Sequence, residues 1–196
     1  NSAFQAALNS RIYVDKTGLI ACMNNILDST DAYICNSRPR RFGKSYAANM
    51  LAAYYSKGAS SEEMFSKLDI GKTPDFKRHL NKYDVIHIDI QWFLTNCEDK
   101  DKVVGYITKI VLDELKDVYP DVLSSEVLSL PDALSRVRNK TGRKFVIIID
   151  EWDVLIRDEA ANKKVQDDYI RFLRSMFKGI EPTKYIQLAY LTGILP

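Results

Sequence analysis

The chain has 196 residues, 46% of them hydrophobic and 28% charged, which is the composition of one ordinary globular domain. Its formal net charge of +2 neither favours nor excludes a nucleic-acid partner, and no apolar run approaches the ~20 residues of a membrane span. Cys22, Cys35 and Cys97 lack metal-ligand spacing, so we expect reduced thiols in a cytoplasmic protein with no membrane association.

The first half of the chain predicts a strand, a loop and a helix. Residues 31–37 (DAYICNS) form a short apolar run, and an apolar stripe from Tyr46 to Tyr55 has helical spacing and ends at Gly58. A short helix follows, with Ser60 or Ser61 as its cap. The alternating, β-branched stretch 83–92 (YDVIHIDIQW) predicts a second strand.

The second half continues the alternation of helices and strands. Further helices are predicted over 103–118, from Pro131 to the residue before Gly142, and over 165–176. Residues 145–150 (FVIIID) are continuously apolar, which is typical of a strand covered on both faces, and YIQLAYLTG predicts a last strand. This order favours βαβ units and a parallel sheet. The chain stops directly after a strand, so we expect more protein to follow in the natural polypeptide.

The segment NSRPRRFGKSY ends like a phosphate-binding loop. Gly43, Lys44 and Ser45 follow a strand and open a helix, which is the context in which backbone N–H groups cradle phosphates. The lysine would reach the β- and γ-phosphates and contact ligand rather than core, and the serine hydroxyl would ligate Mg²⁺. The alternative is a helix start with an exposed lysine.

A second motif, FVIIIDEWD, places two acids at the end of a buried strand. Open α/β sheets bind ligands at this edge. Asp150 would hold Mg²⁺ through water, and Glu151 would polarise the attacking water as the catalytic base. The alternative is a strand followed by an acidic turn. Thr192, which ends the strand LAYLTG, would sense the γ-phosphate and orient water, or is an ordinary strand-end threonine.

The strings IYVDKTGLI, RPRRFGKS, MFSKL, VIHIDIQW, FVIIIDEWD and LTGIL occur in one order along the chain. That series resembles the AAA-ATPase-like family of bacteria, whose typical strings are YVDKT, RPRRFGKT, LIDEYD and LTGI. Two departures, Ser45 for Thr and Trp152 for Tyr, preserve the chemistry. The resemblance covers nearly the whole chain, and it makes Arg38, at the position of the usual first glycine, the family's own form of the loop.

The resemblance implies a P-loop NTPase fold over residues 1–196: an α/β parallel sheet flanked by helices on both faces, in three layers. The acid-bearing strand and the phosphate-loop strand would be separated by another strand. ATP and Mg²⁺ are the implied cofactors. Family members typically carry a C-terminal domain resembling PD-(D/E)XK nucleases, so such a domain, and DNA through it, are implied partners. Nothing in these motifs specifies an oligomeric state.

The arginines of the loop need a physical account. Arg38 cannot take positive φ as cheaply as glycine, and Pro39 biases it towards extended backbone. One or more of Arg38, Arg40 and Arg41 would then add charge-assisted hydrogen bonds to phosphate. Alternatively, Arg40 and Arg41 point outward and pair with surface acids. The expected nucleotide-binding residues are Arg38, Pro39, Arg40, Arg41, Phe42, Gly43, Lys44, Ser45 and Tyr46.

Other polar residues are weaker candidates. Asp15 and Lys16 either flank an adenine pocket or form a local salt-bridged turn; we favour this structural role. The two histidines, at 79 and 87, have no ligand-spaced partner and are interpreted as structural. Asp89 would lie near the active edge of the sheet. Two arginines, at 171 and 174, would act as a finger on a neighbouring subunit or form a solvated helix face.

These observations favour ATP binding with Mg²⁺-dependent hydrolysis that drives a conformational change, in an enzyme of the ATPase class. Lys44, Ser45, Asp150 and Glu151 supply the minimum set for phosphoryl transfer. The alternative is a nucleotide-dependent switch with little or no hydrolysis, favoured by the altered loop and by the lack of an identifiable arginine finger. A third interpretation is a regulatory module attached to a nuclease-like domain.

Overall fold

Two compact units make up this computed structural model, which describes residues 1–158 and 161–195. The first unit contains Asn1–Ile88, Phe145–Asp150 and the C-terminal residues from Gln187. The second contains Asp89–Lys144 and Glu151–Ile186. No helix in the described ranges combines the length and the apolar character needed to cross a bilayer.

The first unit combines short helices with a sheet. Its helices are α1 (Ser2–Leu8), α2 (Gly18–Asn24), α3 (Lys44–Tyr55), α4 (Glu62–Ser66) and α5 (Phe76–His79). A 3₁₀ turn spans Asp69–Lys72. The strands are β1 (Tyr33–Ser37), β2 (Asp84–Asp89), β3 (Phe145–Asp150) and β4 (Ile186–Gly193), and all their residues except Asp89 and Ile186 belong to this unit.

The four strands form one parallel sheet in the order β1-β4-β3-β2. β4 therefore separates β1, which leads into the arginine loop, from β3, which ends at Asp150. This is the strand order that the family resemblance implies. In the register of β1 and β4, Asn36 lies opposite Thr192 and Ser37 lies opposite Gly193. The ends of these strands carry the candidate site.

The core of the first unit lies beneath α3. All six residues of β3 are buried, as the continuous apolar run predicts, and α3 packs against this strand. Tyr54 and Tyr55 of α3 are fully buried, and their hydroxyls are satisfied: Tyr54 donates to the Phe76 carbonyl and Tyr55 donates to Asn24 Oδ1. These contacts fix the C-terminal end of α3, and the arginine loop precedes its N-terminal end.

The second unit is helical. Its helices are α6 (Ile90–Asn96), α7 (Val103–Val118), α8 (Leu130–Thr141), α9 (Val154–Arg157), α10 (Lys163–Phe177) and α11 (Glu181–Tyr185). α7 packs against α8 and α10, and α11 packs against α8. Capping fixes the boundaries of α8: the Ser129 hydroxyl accepts the Asp132 N–H, and Gly142 ends the helix with a φ of 75°.

All predicted elements are present, but one strand ends earlier than predicted and one predicted cap does not form. The strand predicted over 83–92 ends at Asp89, because the Asp89 side chain accepts the Trp92 N–H and starts α6. Ser61 does occupy the N-cap position of α4, but its hydroxyl donates to the Ala53 carbonyl instead of capping the helix. Helices α1, α2, α5, α6, α9 and α11 were not predicted; each has seven residues or fewer.

Candidate functional site

The arginine loop begins where β1 runs out of the sheet. The pairing of β1 with β4 continues one residue beyond the strand, because the Arg38 N–H donates to the Gly193 carbonyl at 3.1 Å. The Ser37 hydroxyl lies between the carbonyl oxygens of Ile194 and Leu195, at 2.8 and 2.6 Å. Backbone and side-chain hydrogen bonds to the C-terminal segment therefore fix the start of the loop.

The loop wraps around the ammonium group of Lys44. Lys44 Nζ donates to the carbonyl oxygens of Arg38 at 2.8 Å and Pro39 at 3.0 Å. The residue is only 8% exposed, so Lys44 stabilises the loop from within. Sequence reasoning, which assigned Lys44 to ligand contact alone, missed this structural role. A lysine that closes its own loop is not visible in a sequence motif.

The backbone of the loop turns twice through the left-handed region. Gly43, the N-cap of α3, has a φ of 78°, and Arg41 has a φ of 68°. Arg38 is not among the residues of positive φ, in agreement with the expected extended start. The cost for a non-glycine residue in this region is about 1–2 kcal/mol. Arg41 therefore carries the conformational strain that a glycine would avoid.

Several cationic residues precede and open α3. No side chain caps it, and its first turn contains no acidic residue. Arg38, Arg40 and Arg41 are exposed, and none of them forms an ion pair with any described residue. The ion pairs that the alternative interpretation predicts between these arginines and surface acids are therefore absent among the described residues. Uncapped N–H groups and unpaired cations together form a site suited to a polyanion.

The remaining loop residues predicted to bind nucleotide are accessible. Phe42, Ser45 and Tyr46 are all exposed, and Ser45 Oγ makes no hydrogen bond within the described chain. Its hydroxyl is thus available as a ligand for a cation or a phosphate oxygen. No cluster of three or more His, Cys, Asp or Glu side chains suited to a metal exists among residues 1–158 and 161–195. Mg²⁺ in phosphate sites usually keeps several waters and needs only one or two protein ligands.

Asp150 and Thr192 meet at the ends of the central strands. The Thr192 hydroxyl donates a hydrogen bond to Asp150 Oδ1, and both residues are buried. Tyr190, two residues earlier on β4, accepts a hydrogen bond from Asn36 Nδ2 at 2.6 Å. Burial raises the pKa of the Tyr190 hydroxyl, and the nearby Asp150 charge adds to this shift. Polar side chains thus link β3, β4 and β1 at their carboxyl ends.

Glu151 is the first residue of the second segment of the second unit, and its backbone is left-handed, with a φ of 53°. Its Oε2 lies 3.7 Å from Nη2 of Arg157. Arg157 is itself fixed by Asp153, whose fully buried carboxylate accepts from Nε at 2.8 Å and from Nη2 at 3.2 Å. The carboxylate predicted to act as base therefore lies beside an anchored guanidinium, an interaction that the motif FVIIIDEWD does not reveal.

An apolar cavity of about 250 Å³ adjoins the start of α3. It is lined by Gly43 and Ala47 on one side and by the N-terminal segment, including Phe4, Ile12 and Tyr13, on the other. Ile12 is 84% exposed and Tyr46, also in the lining, is 58% exposed. Exposed apolar side chains grouped at one place indicate a binding surface. Sequence reasoning missed the N-terminal residues, because an isolated Ile or Tyr before a helix has no distinctive pattern.

Asp15 has a structural role, but the predicted salt bridge with Lys16 does not form in the described part of the chain. Its carboxylate accepts the Thr17 N–H and hydroxyl at 2.8 and 2.7 Å, and the Asp69 N–H at 2.7 Å. Burial alone would raise the pKa of Asp15, but these hydrogen bonds outweigh it, so the pKa lies below its usual value. Lys16 behaves differently, because its ammonium lies at the phosphate loop beside Gly43.

The remaining polar candidates make structural contacts. His79 Nδ1 is hydrogen-bonded to the Tyr83 hydroxyl at 2.6 Å, and burial lowers the pKa of its ring. Asp89 caps α6. Arg171 is exposed and pairs with Asp168 one turn earlier on α10, in agreement with a solvated helix face.

Comparison with known proteins identifies the family. The chain is 24% identical over 184 residues to a protein of Azotobacter chroococcum mcd 1 described as an uncharacterized protein in the vnfD 5' region. That match covers 93% of this chain but only 33% of the relative, so the chain spans about one third of the relative's length. The model of the AAA-ATPase-like family, described as predicted AAA-ATPase, matches residues 4–196. The chain therefore belongs to the predicted AAA-ATPase family.

Proposed function

We propose that the chain is a P-loop domain that binds ATP with Mg²⁺ and hydrolyses it. The observation that carries this proposal is the loop around Lys44. It combines an uncapped helix N-terminus, no acid in the first helical turn, and three arginines that form no ion pair with a described residue. Such a concentration of positive charge is unfavourable unless an anion is bound. A triphosphate, with several negative charges and many acceptor oxygens, matches it.

The apolar cavity supports a nucleotide rather than an inorganic polyphosphate. Gly43, Tyr46 and Ala47, which belong to the loop and the first turn of α3, also line the cavity. One nucleotide would therefore place its base in the cavity and its phosphates on the loop. Ligand sites are typically apolar with a few polar groups at one end. The exposed faces of Ile12 and Tyr46 would become buried against the base.

The chemistry is assigned to the polar groups at the strand ends. Ser45 and Asp150 would hold Mg²⁺, which neutralises the charge that develops on the phosphates. Thr192, bonded to Asp150, keeps that carboxylate oriented and would sense the γ-phosphate. Glu151, the residue after Asp150, would act as the base for the attacking water. Phosphoryl transfer needs little more than positioning and charge neutralisation.

Titration calorimetry with Mg-ATP tests the binding step. The wild-type chain should bind one ATP, and Lys44→Met, which keeps the aliphatic stem and removes the ammonium, should lose at least about a hundredfold in affinity. Lys67→Met is the matched control, because Lys67 is an exposed lysine that forms no ion pair with described residues. Full ATP affinity in folded Lys44→Met would refute the phosphate-loop assignment.

A second candidate function is a nucleotide-dependent switch that hydrolyses slowly or not at all. The position of Arg157 favours it, because a guanidinium 3.7 Å from Glu151 Oε2 competes with water for that carboxylate. Turnover measured for the wild type and for Glu151→Gln separates the two functions. Tight binding with equal, negligible turnover in both proteins would favour the switch.

The roles of the complete protein are part of the same proposal. Hydrolysis would drive a conformational change that is transmitted to a C-terminal nuclease-like domain, and DNA would be contacted through that domain. A three-layer arrangement, with helices on both faces of the sheet, and a cytoplasmic location are the corresponding expectations. Limited proteolysis of the full-length protein with and without Mg-ATP would test the coupling, which predicts different cleavage patterns.

A further inference from the structure

Lys16 lies in the segment that joins α1 to α2, yet its ammonium group reaches the phosphate loop. A Cβ atom built on Gly43 would lie only 3.2 Å from Lys16 Nζ. The ammonium of Lys16 therefore lies beside the N-cap residue of α3. A glycine at this position leaves room both for the left-handed turn and for the lysine side chain.

The backbone on either side of Lys16 is held firmly. Asp15 accepts three hydrogen bonds, two from Thr17 and one from the N–H of Asp69. Thr17 is fully buried, and its hydroxyl accepts the Ile70 N–H at 3.0 Å. The 3₁₀ turn and the start of α2 thus clamp the main chain at this point. The Lys16 side chain, in contrast, is exposed and extends from a rigid base.

The charge of Lys16 has no protein partner in the described chain. It forms no ion pair there, and Asp15, its neighbour in sequence, is already engaged by hydrogen bonds. Its ammonium lies beside Gly43, the residue before Lys44, and Lys16 lines a cavity together with Arg38. An ammonium held near other cations is unfavourable unless an anion lies between them.

Lys16 also lies where two cavities adjoin the loop. It lines the apolar cavity of about 250 Å³ and a second cavity of about 470 Å³ that is lined by Arg38, Phe42 and Tyr190. Gly43 and Ala47 line both cavities as well. A ligand with an apolar end and a phosphate chain would therefore pass beside the ammonium.

We propose that Lys16 is a second phosphate-binding lysine, whose ammonium donates to oxygens of the nucleotide's phosphate chain above Gly43. This rests on the proposed function, since it assigns a further ligand contact to the same site. Lys44 approaches the phosphates from within the loop, and Lys16 approaches from the N-terminal segment. The two lysines would together clamp the phosphate chain against the N-terminus of α3.

Calorimetry with two ligands, Mg-ATP and inorganic triphosphate, tests the inference. Lys16→Gln should bind both about tenfold more weakly than the wild type, because each loses a charge-assisted hydrogen bond. Lys16→Arg, which keeps the charge, should recover most of the affinity. The loss should shrink at high salt, where exposed charges are screened. Without ligand, Lys16→Gln should melt at or slightly above the wild-type temperature, because Lys16 forms no ion pair with the described residues and its removal relieves repulsion.

Each alternative outcome has a distinct meaning. Wild-type affinity of Lys16→Gln for both ligands would overturn the inference, and so would weaker binding of ATP alone, which would assign Lys16 to the nucleoside. Lys67→Gln serves as the control for a general loss of positive charge and should bind both ligands like the wild type. If the wild-type chain binds neither ligand, the proposed function itself fails and the inference fails with it.

Discussion

Replacing Lys44 by methionine should destabilise the chain even when no ligand is present. The ammonium donates to the carbonyl oxygens of Arg38 and Pro39 at 2.8 and 3.0 Å, and the side chain is 8% exposed. Methionine keeps the unbranched stem and removes both hydrogen bonds. The carbonyl oxygens of Arg38 and Pro39 would then have no donor within the loop.

The magnitude follows from the groups that lose their partners. A hydrogen bond to a charged group contributes about 1.5–3 kcal/mol. Both carbonyl oxygens belong to exposed residues and can turn towards water, and removing one cation relieves some repulsion from the neighbouring arginines. We therefore expect a net loss of about 1–2 kcal/mol. For a chain of this length, that corresponds to a fall in melting temperature of about 2–8 °C.

Scanning calorimetry of ligand-free protein measures this change directly. Lys67→Met is the control, because Lys67 is exposed and its side chain makes no hydrogen bond or ion pair within the described ranges. Equal melting temperatures for wild type and Lys44→Met would refute the reasoning. In that case the loop would hold its shape through its backbone alone, without Lys44.

Further predictions test other parts of the site. Thr192→Val removes the hydroxyl that donates to buried Asp150 and should cost about 1–3 kcal/mol in urea unfolding; a change below about 0.5 kcal/mol would contradict this. Glu151→Gln should keep ATP affinity and slow turnover by about a hundredfold or more, which a steady-state phosphate-release assay would check. Sulfate should raise the melting temperature more than chloride at matched ionic strength, and Arg40→Gln/Arg41→Gln should reduce that difference, since these arginines form no ion pair with described residues and would contribute to the anion site. Folding lowers the pKa of Asp15, so its contribution to stability is present above the unfolded pKa of about 4 and is lost as pH falls through the folded pKa. The free energy of unfolding, measured from pH 5 to pH 2, should therefore fall less steeply for Asp15→Asn than for the wild type.

The long periodic segments of this chain could be predicted from sequence, because their signals are local. The apolar run Phe145–Asp150 predicts a buried strand, and α7, α8 and α10 follow from helical spacing and from their Pro and Gly boundaries. The short helices could not be predicted. A helix of four to seven residues is too short for periodicity to appear and is stabilised by its tertiary neighbours.

The candidate site divides in the same way. The residue types at 43–45 and at 150 predict phosphate chemistry without any structure, and the meeting of Asp150 with Thr192 follows once adjacent strands are expected. The contact of Lys16 with the loop could not be predicted, since it joins segments 27 positions apart (43 − 16) through loops with no periodic pattern. The contact between Arg157 and Asp153 could not be predicted either, because the sequence does not distinguish a buried carboxylate from an exposed one.

A crystal structure with a non-hydrolysable ATP analogue and Mg²⁺ tests the central claim most directly. The account predicts phosphate oxygens within hydrogen-bonding distance of Lys44 Nζ, the N–H groups at the start of α3 and Lys16 Nζ, with the base in the cavity beside Ile12 and Tyr46. A nucleotide bound elsewhere on the chain, with the loop still closed around Lys44 and no phosphate on α3, would contradict it.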